Sequence, residues 1–409
     1  MHLASGGFIV HGRAMTSHHS NPASNSPVLL DVSRLIWRSW RGQLPTGIDR
    51  ACLAYVRHHD GNARALVQRG GFTHVLDRRA SRKLFALLLD RPADFRRKAL
   101  TLAVRSFPSF LIGAGIVPKG SLYLNIGHTG LDRGGHRRWV RRNRVRAVYY
   151  VHDLIPITHP QFNRAGEAQR HSARMKTILR YGAAILANSE DSLARLHDFA
   201  GERGLEMPPT LCAPLGLESF RPAPQRPPLL NAPYFVVLGT IEARKNHQLL
   251  LRIWRRLAEH LGETTPKLVI IGQRGWSVED VTNSLDHDET LRPHILELSG
   301  CGDDDLPVWL SHAQALLFPS HVEGQGLPLM EALSLGTPAI ASDLAVYREF
   351  AGDIPDYLDP DDEAAWLSLI TEYTAPDSPR AARQRERLAT YKIFSWEDHF
   401  HRVDQWLGI

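Results

Sequence analysis

Two glutamates, Glu323 and Glu331, are the residues of this 409-residue chain whose types and spacing best suit the binding of a polar ligand. They bracket Gly324 and Gly326 within PSHVEGQGLPLMEALSLGTPAIAS, where a helix is predicted to begin at Leu327. The glycines therefore lie at a helix N-terminus, whose unpaired N–H groups and positive dipole favour a phosphate or sugar oxygen. The carboxylates are too far apart along the chain to share a proton. They are suited instead to hold two ends of one extended ligand by its hydroxyl groups.

A second candidate segment, VLGTIEARKNHQLLLRIW, carries two adjacent cations where a strand turns into a helix. The predicted strand ends at Gly239, the loop contains Arg244 and Lys245, and Asn246 is the expected N-cap of the helix. Lysine is a point charge and arginine a planar fork, so the pair suits a diphosphate.

The first half of the chain offers two further candidates. His152 and Asp153 follow an apolar strand in YYVHDLIPITHP, at the carboxyl end where ligand sites gather. Gly47, in LPTGIDR, opens a predicted helix and gives a second N-terminus that favours anions.

Each candidate also has an ordinary structural interpretation. Glu323 fits a helix-start acid that interacts with the helix dipole, and Glu331 fits a packing carboxylate. Exposed Arg-Lys pairs are common, a lone strand-end histidine such as His152 is more often structural, and Gly47 fits an ordinary turn.

Short apolar strands alternate with helices in two successive series, which predicts two parallel sheets with helices on both faces. The first series has strands at 27–36, 63–67, 121–124, 146–151 and 183–188, and the second at 234–238, 267–271, 315–318 and 338–341. A proline-rich segment, 213–234, separates them and is predicted to be a linker. We therefore expect two Rossmann-like domains that face each other across a cleft.

The net charge of +6 conceals an asymmetry between the two halves. Residues 1–221 hold 33 Lys and Arg against 15 Asp and Glu, whereas residues 222–409 hold 16 against 28. Arginines concentrate in 78–105 and 133–146, and such clusters suit phosphate-bearing partners: nucleic acid, anionic lipid or an anionic acceptor. The leucines and phenylalanines of 84–95 lie among these cations, which is compatible with an amphipathic membrane-docking helix or with a soluble basic helix.

Several classes of protein are excluded by composition. Only three cysteines are present, far apart, which indicates a reducing compartment and no disulfide framework. No apolar run approaches the length of a transmembrane helix, and residues 1–26 have the character of a disordered leader.

The second half resembles the retaining nucleotide-sugar glycosyltransferases of family 4, most densely over 234–366. The resemblance rests on Glu323-Gly324-Gln325-Gly326-Leu327-Pro328, Glu331-Ala332, Gly336, Pro338 and Ile340-Ala341-Ser342, and on Gly239 with Arg244-Lys245-Asn246-His247. It implies an α/β GT-B fold: a leader (1–26), an acceptor-binding domain (27–213), a linker (214–233), a donor-binding domain (234–390) and a C-terminal helix (391–409) that packs back on the first domain.

The resemblance also implies roles for individual residues. Lys245 would neutralise the donor diphosphate, Glu323 would hold the transferred sugar, and His152 would lie beside that sugar. Donor-binding positions would be Gly47, Gly239, Thr240, Arg244, Lys245, Gln325, Gly326, Leu327 and Glu331, with Glu331 on the ribose. Two positions depart from the family pattern: Thr240 replaces an arginine, and Gln325 replaces an aromatic residue.

The expected activity is metal-independent hexosyl transfer, with retention, from a nucleoside-diphosphate sugar to a glycan or lipid-linked acceptor. The segment 234–256 is similar to mannosyltransferases of O-antigen and exopolysaccharide assembly, so mannose is the leading sugar. We expect no cofactor, no metal and no nucleic acid, and a cytoplasmic location with peripheral contact to anionic membrane. The alternatives are a UDP-sugar-dependent transferase of the same fold, or a catalytically silent nucleotide- or nucleic-acid-binding protein.

Overall fold

The structure of the chain, a computed structural model, describes residues 27–111, 117–218, 226–276, 278–302, 304–375 and 378–409. The predicted leader and part of the predicted linker, 219–225, lie outside these residues.

The first sheet has seven strands in the order β3-β2-β1-β4-β5-β6-β7, and all neighbours are parallel except β2 and β3. Helices cover both of its faces. The elements are β1 (Val28–Asp31), α1 (Ser33–Trp40), α2 (Gly47–His59), β2 (Ala63–Arg69), β3 (Phe72–Val75), α3 (Arg78–Asp90), α4 (Phe95–Leu111), β4 (Leu122–Asn125), α5 (Gly134–Asn143), β5 (Arg146–Val151), α6 (Ile155–Thr158), α7 (Glu167–Tyr181), β6 (Ala184–Ala187), α8 (Glu190–Gly201) and β7 (Thr210–Cys212).

The second sheet has six strands, all parallel, in the order β10-β9-β8-β11-β12-β13. Its elements are β8 (Tyr234–Leu238), α9 (His247–Leu261), β9 (Lys267–Ile271), α10 (Glu279–His287), β10 (Ile295–Leu298), α11 (Leu306–Ser311), β11 (Leu316–Phe318), α12 (Leu327–Ser334), β12 (Ala339–Ser342), α13 (Ala345–Ala351), β13 (Asp356–Leu358), α14 (Glu363–Thr374), α15 (Pro379–Leu388) and α16 (Trp396–Leu407). Single 3-10 turns occupy Pro160–Phe162, Ala243–Lys245 and Gly262–Thr264.

The predicted strand at 27–36 is wrong in its second half. The strand stops at Asp31, whose buried carboxylate accepts the N–H of Ser33 at 3.0 Å and turns the chain into α1. Leu35 packs into the core from α1. The prediction failed here because the apolar run Leu35-Ile36-Trp37 fits the period of a strand as well as that of a helix.

The membrane-docking helix proposed for 84–95 is not supported by the packing of α3. Leu84, Phe85, Leu88 and Phe95 are all buried in the core of the first domain, so they are not available to a membrane surface. None of the described helices is both long enough and apolar enough to cross a bilayer.

The C-terminal helix α16 packs on the first domain, as predicted. Phe400, Val403 and Leu407 join the core of that domain. The ring nitrogens of His399 contact the carbonyl of Pro214 at 2.7 Å and the hydroxyl of Tyr55 at 3.0 Å. Pro214 lies in the segment after β7 where the chain crosses to the second domain, here called the crossover. The C-terminal helix, which follows the second domain in sequence, is thereby held on the first domain.

Candidate active site

The central residue of the site is Glu323, which lies in the loop between β11 and α12. This strand neighbours β8, so the loop after each strand reaches the same carboxyl edge of the second sheet. Glu323 is only 8% exposed, and its Oε1 contacts Lys245 Nζ and lies 2.7 Å from Arg244 Nη1. Ser320 Oγ donates to the same oxygen at 3.0 Å. The two segments singled out from the sequence thus meet at one carboxylate oxygen.

The charges of this cluster determine its protonation. Burial acts to raise the pKa of Glu323, but the positive charges of Arg244 and Lys245 outweigh it and lower the pKa to about 2. Burial lowers the pKa of Lys245, and the negative charge of Glu323 opposes this effect. Glu323 is therefore ionised at any working pH. Its Oε2 has no hydrogen-bond partner among the described residues and is available to a ligand.

The loop after β8 directs both cations into the cleft. A Cβ built on Gly239 would lie 3.4 Å from Lys245 Cε, so the lysine side chain runs directly over this glycine. Lys245 Nζ also lies 4.4 Å from the centroid of the Phe318 ring. Thr240 packs against Gly275, and Arg244 is the second cation that contacts Glu323.

Asn246 is the N-cap residue of α9, as predicted, but its side chain makes no capping hydrogen bond. The residue occupies the N-cap position with a φ of +56°, and its amide donates to the carbonyl of Pro360 at 2.9 Å.

The start of α12 faces the start of α2 across the cleft. Gly326 caps α12 with a φ of +87°, and a Cβ there would lie 2.7 Å from the ring of Tyr347. Leu327 packs against the core of the first domain, and its Cδ1 would be 3.5 Å from a Cβ on Gly47. Two helix N-termini, each suited to an anion, are therefore brought together.

Glu331 lies in the second turn of α12 and is 4% exposed. Its Oε1 accepts a hydrogen bond from Arg50 Nη1 at 2.5 Å, which joins the two domains. Arg50 is part of the LPTGIDR segment, but sequence reasoning gave it no role. Gly47 marked this segment as a helix start, and Arg50, one turn later on the same helix, could have been recognised as a cation near the cleft.

The side chain of Gln325 faces away from the expected sugar site. Its Oε1 accepts the N–H of Leu215, and its Nε2 donates to the carbonyl of the same residue, both at 3.0 Å. Leu215 lies in the buried crossover between the domains. Gln325, which stands where the family has an aromatic residue, thus joins the loop before α12 to the segment that connects the two domains.

We expect Gln325→Leu to lower the unfolding temperature, because it leaves the buried N–H and C=O of Leu215 without partners. Each unsatisfied group costs about 1–3 kcal/mol. Scanning calorimetry measures the shift, with exposed Gln169 on α7 as a matched control in Gln169→Leu. Equal unfolding temperatures for the two variants would contradict the assigned role.

His152 lies across the cleft from the donor loop. Its Nε2 lies 2.8 Å from the carbonyl oxygen of Ile126, which can only accept, so Nε2 carries the hydrogen and Nδ1 is an acceptor. Burial lowers the pKa of His152 to about 4, although the hydrogen bond to Ile126 and the charge of Asp153 oppose it. A Cβ on Gly324 would lie 2.5 Å from the carbonyl oxygen of His152. Only glycine permits this approach of the two domains.

Two contacts between α8 and the second domain were not foreseen from the sequence. Ser189, the N-cap of α8, donates its hydroxyl to the carbonyl of Gly324 at 3.0 Å. Glu349 on α13 accepts the N–H of Glu190, with its two oxygens at 2.9 and 3.1 Å. A strand followed by Ser-Glu-Asp is an ordinary capped helix start, so nothing in the sequence marked it as an interdomain contact.

Glu349 makes the stability of this contact depend on pH. Burial raises the pKa of Glu349 to about 7, and the N–H groups at the start of α8 only partly oppose the shift. A carboxyl group whose pKa is raised on folding stabilises the protein below its unfolded pKa of about 4.5, and this stabilisation is lost as the pH rises through about 7.

We therefore expect Glu349→Gln to raise the unfolding temperature above pH 7 and to leave it nearly unchanged below pH 4.5. Thermal unfolding from pH 4.5 to 8 tests this, with exposed Glu372→Gln on α14 as the control. A constant difference between Glu349→Gln and the unmodified protein across that range would exclude a titration of Glu349.

The described residues contain one cluster with the spacing of metal ligands: His58, His59 and Asp404, at the junction of α2 and α16. It includes none of the cleft residues.

The two parallel sheets and the C-terminal helix that returns to the first domain define a GT-B fold. The structure superposes on that of HepE from Anabaena in complex with UDP-glucose with a TM-score of 0.64 and 13% identity, covering 93% of this chain and 99% of that one. The predicted α/β GT-B fold is confirmed.

Comparison of sequences then identifies the family. Residues 223–365 match the family described as glycosyl transferases group 1. O-antigen chain mannosyltransferase B of Escherichia coli is 30% identical over 260 residues, which are 62% of this chain and 68% of that protein. The serotype-specific mannosyltransferase WbdA of Escherichia coli is 25% identical over 261 residues, but this match spans only 31% of WbdA. The chain belongs to the group 1 glycosyltransferases, as the resemblance predicted.

Proposed function

We propose that this glycosyltransferase moves a hexose, with mannose the leading candidate, from a nucleoside-diphosphate sugar to a glycan or lipid-linked acceptor of the bacterial cell surface. The observation that carries the proposal is the buried cluster of Glu323, Lys245 and Arg244 at the carboxyl edge of the second sheet. The sequence similarity of the chain to O-antigen mannosyltransferases favours mannose as the sugar and a cell-surface glycan as the acceptor.

The leaving diphosphate is the group that most needs stabilisation. Negative charge grows on it as the bond to the anomeric carbon breaks, and preorganised cations and helix N-termini stabilise such charge without reorganisation. Lys245 and Arg244 supply the cations, and the starts of α2 and α12 supply N–H groups. This set of cations supports transfer without a divalent metal.

The donor sugar and ribose would be held by the two glutamates. Glu323 has Oε2 available for sugar hydroxyls, while its ionised state keeps it an acceptor. Glu331 would accept the ribose hydroxyls and share its carboxylate with Arg50. His152 would place Nδ1, an acceptor, beside the transferred sugar.

We infer that transfer proceeds with retention on one face of the sugar. Two cations contact Glu323 and lower its pKa to about 2. A carboxylate of such low basicity is a weak nucleophile. The leaving phosphate would take the proton of the acceptor hydroxyl as the new bond forms.

We also propose a cytoplasmic location, at the inner face of the membrane where a lipid-linked acceptor would be met. Its three cysteines are free thiols, which suits a reducing compartment.

Transfer from GDP-mannose in the presence of a chelator tests the proposal, with NMR to assign the anomeric configuration of the product. Retained configuration and full activity with the chelator are the expected results. Transfer from UDP-glucose alone would assign the alternative donor, a sugar that HepE binds. Inversion, or activity restored only by metal, would overturn the mechanism.

A further inference from the structure

A cavity of about 870 Å³ lies at the carboxyl edge of the first sheet. Its walls come from α1 after β1, from residues 127–130 after β4 and from the first half of α7. His152 and Asp153, which follow β5, complete it. His152 lines this cavity and its carbonyl oxygen faces Gly324 of the donor loop, so a molecule in the cavity would lie beside that loop.

The lining of the cavity is strongly basic. Three acidic residues reach it: Asp132, Asp153 and Glu167. Seven arginines reach it: Arg34, Arg38, Arg41, Arg69, Arg133, Arg170 and Arg174. These arginines come from distant parts of the sequence, and only Arg133 belongs to either cluster that the sequence revealed.

Ion pairs leave much of this charge uncompensated. Arg34 and Arg38 share the single carboxylate of Asp49, with Nε–O distances of 2.7 and 2.6 Å. Arg69 is held in place by stacking, with its guanidinium 4.5 Å from the centroid of the Trp37 ring. Within the described residues Arg69 makes no ion pair, so its charge is available to a ligand.

A second pair of arginines, on α7, is arranged in the same way. Arg170 and Arg174 share the carboxylate of Glu167 at 3.1 and 2.8 Å. Arg174 Nε is buried and has no hydrogen-bond partner among the described residues. Each shared carboxylate thus leaves one positive charge, and both pairs of arginines line the same cavity.

Three histidines add a different chemistry. His128, His152 and His171 each direct Nε2 to a main-chain carbonyl, at 2.6, 2.8 and 3.1 Å respectively. Burial lowers the pKa of all three, so their imidazoles are neutral near pH 7. Neutral imidazoles with Nδ1 as an acceptor suit sugar hydroxyls, whereas the arginines suit an anion.

We propose that this cavity binds a phosphate-bearing acceptor, with the phosphate on the arginines and the sugar on the histidines beside the cleft. Arginine forks match phosphate oxygens in pairs, and the volume is that of a site for a whole small ligand. The identification of this ligand as the acceptor rests on the proposed function, but the binding of phosphate does not.

Calorimetric titration with inorganic pyrophosphate tests the binding step directly, with the donor site filled by GDP. The variant Arg170→Gln/Arg174→Gln is expected to raise the Kd at least tenfold, and Arg138→Gln, exposed on α5 outside the cavity, is expected to leave it unchanged. Arg69→Gln changes an exposed side chain, so it should fold even if the double variant does not, and we expect a Kd at least threefold higher. If the double variant and Arg69→Gln bound pyrophosphate with the same Kd as the control Arg138→Gln, the proposal would be overturned.

The variant Lys245→Ala separates the cavity from the donor site. Pyrophosphate binding that survives Lys245→Ala but not the arginine changes supports the cavity, even if no nucleotide binds and the proposed function fails. Binding lost in Lys245→Ala and retained in the arginine variants would assign the anion to the donor loop and overturn the inference.

Transfer assays then identify the source of the phosphate. Mannose 1-phosphate represents a phosphorylated sugar, mannose joined through a diphosphate to a short polyprenyl chain represents a lipid carrier, and methyl mannoside is the neutral control. A kcat/KM at least tenfold higher for either anionic acceptor, reduced in the arginine variants, supports the proposal and names the source. Equal use of methyl mannoside would contradict it.

Discussion

Replacing Lys245 with alanine is expected to reduce kcat by about 100- to 1,000-fold, the loss typical when one preorganised charge of a transition-state site is removed. The lysine is 6% exposed, contacts Glu323 and lies over Gly239 in the loop after β8. It is therefore a fixed charge in a site sheltered from water, where its effect on the proposed leaving diphosphate would be strong. Initial rates at saturating donor measure the loss.

The matched control is Lys119→Ala. Lys119 is exposed and precedes β4, at the edge of the first sheet opposite to the cleft. We expect its activity to equal that of the unmodified protein. If Lys245→Ala retained more than a tenth of the activity, the diphosphate would have to be stabilised elsewhere.

The second large effect is expected for Glu323→Gln, which keeps the shape of the side chain and removes its charge. Turnover should fall about 100-fold or more, because a sugar hydroxyl loses an ionised acceptor. Stability should fall by about 3–5 kcal/mol, because Lys245 remains buried without the opposing charge of Glu323. Activity assays and thermal unfolding separate the two effects.

Glu363→Gln provides the control for stability. Glu363 also contacts two cations, Arg252 at 2.7 Å and Arg256 at 3.4 Å, but this cluster lies on the surface. Its loss should cost about 1 kcal/mol or less. Adding Lys245→Met to Glu323→Gln should restore part of the stability without activity. A Glu323→Gln variant with full turnover would exclude the assigned role of Glu323.

Much of the fold was predictable because its strands are short, apolar and bounded by turns. The predicted bounds of β5, β8 and β9 agree with the structure. The pairing of β3 with β2 was not predictable, because an antiparallel hairpin at Gly70-Gly71 interrupts an otherwise parallel alternation. Edge strands of this kind carry no long apolar run.

Site residues were predictable only where they belong to short motifs of neighbouring residues in the sequence. Glu323 and Lys245 lie in compact motifs, so the sequence placed both in one candidate site. Arg50 and Gln325 act on residues more than a hundred positions away, and no local pattern reveals such partners. The cavity arginines show the same limit, because folding collects them from separate segments while the dense cluster at 133–146 contributes only Arg133.

The central claim is that the cleft binds a nucleoside diphosphate through Lys245, Arg244 and two helix N-termini, without a metal. Calorimetric titration with GDP, UDP and dTDP in the presence of a chelator tests it most directly. The account predicts that one of them binds, GDP first among them, and that Lys245→Ala weakens this binding at least tenfold while Lys119→Ala does not. If none of the three binds to the unmodified protein, the account of the donor site is wrong.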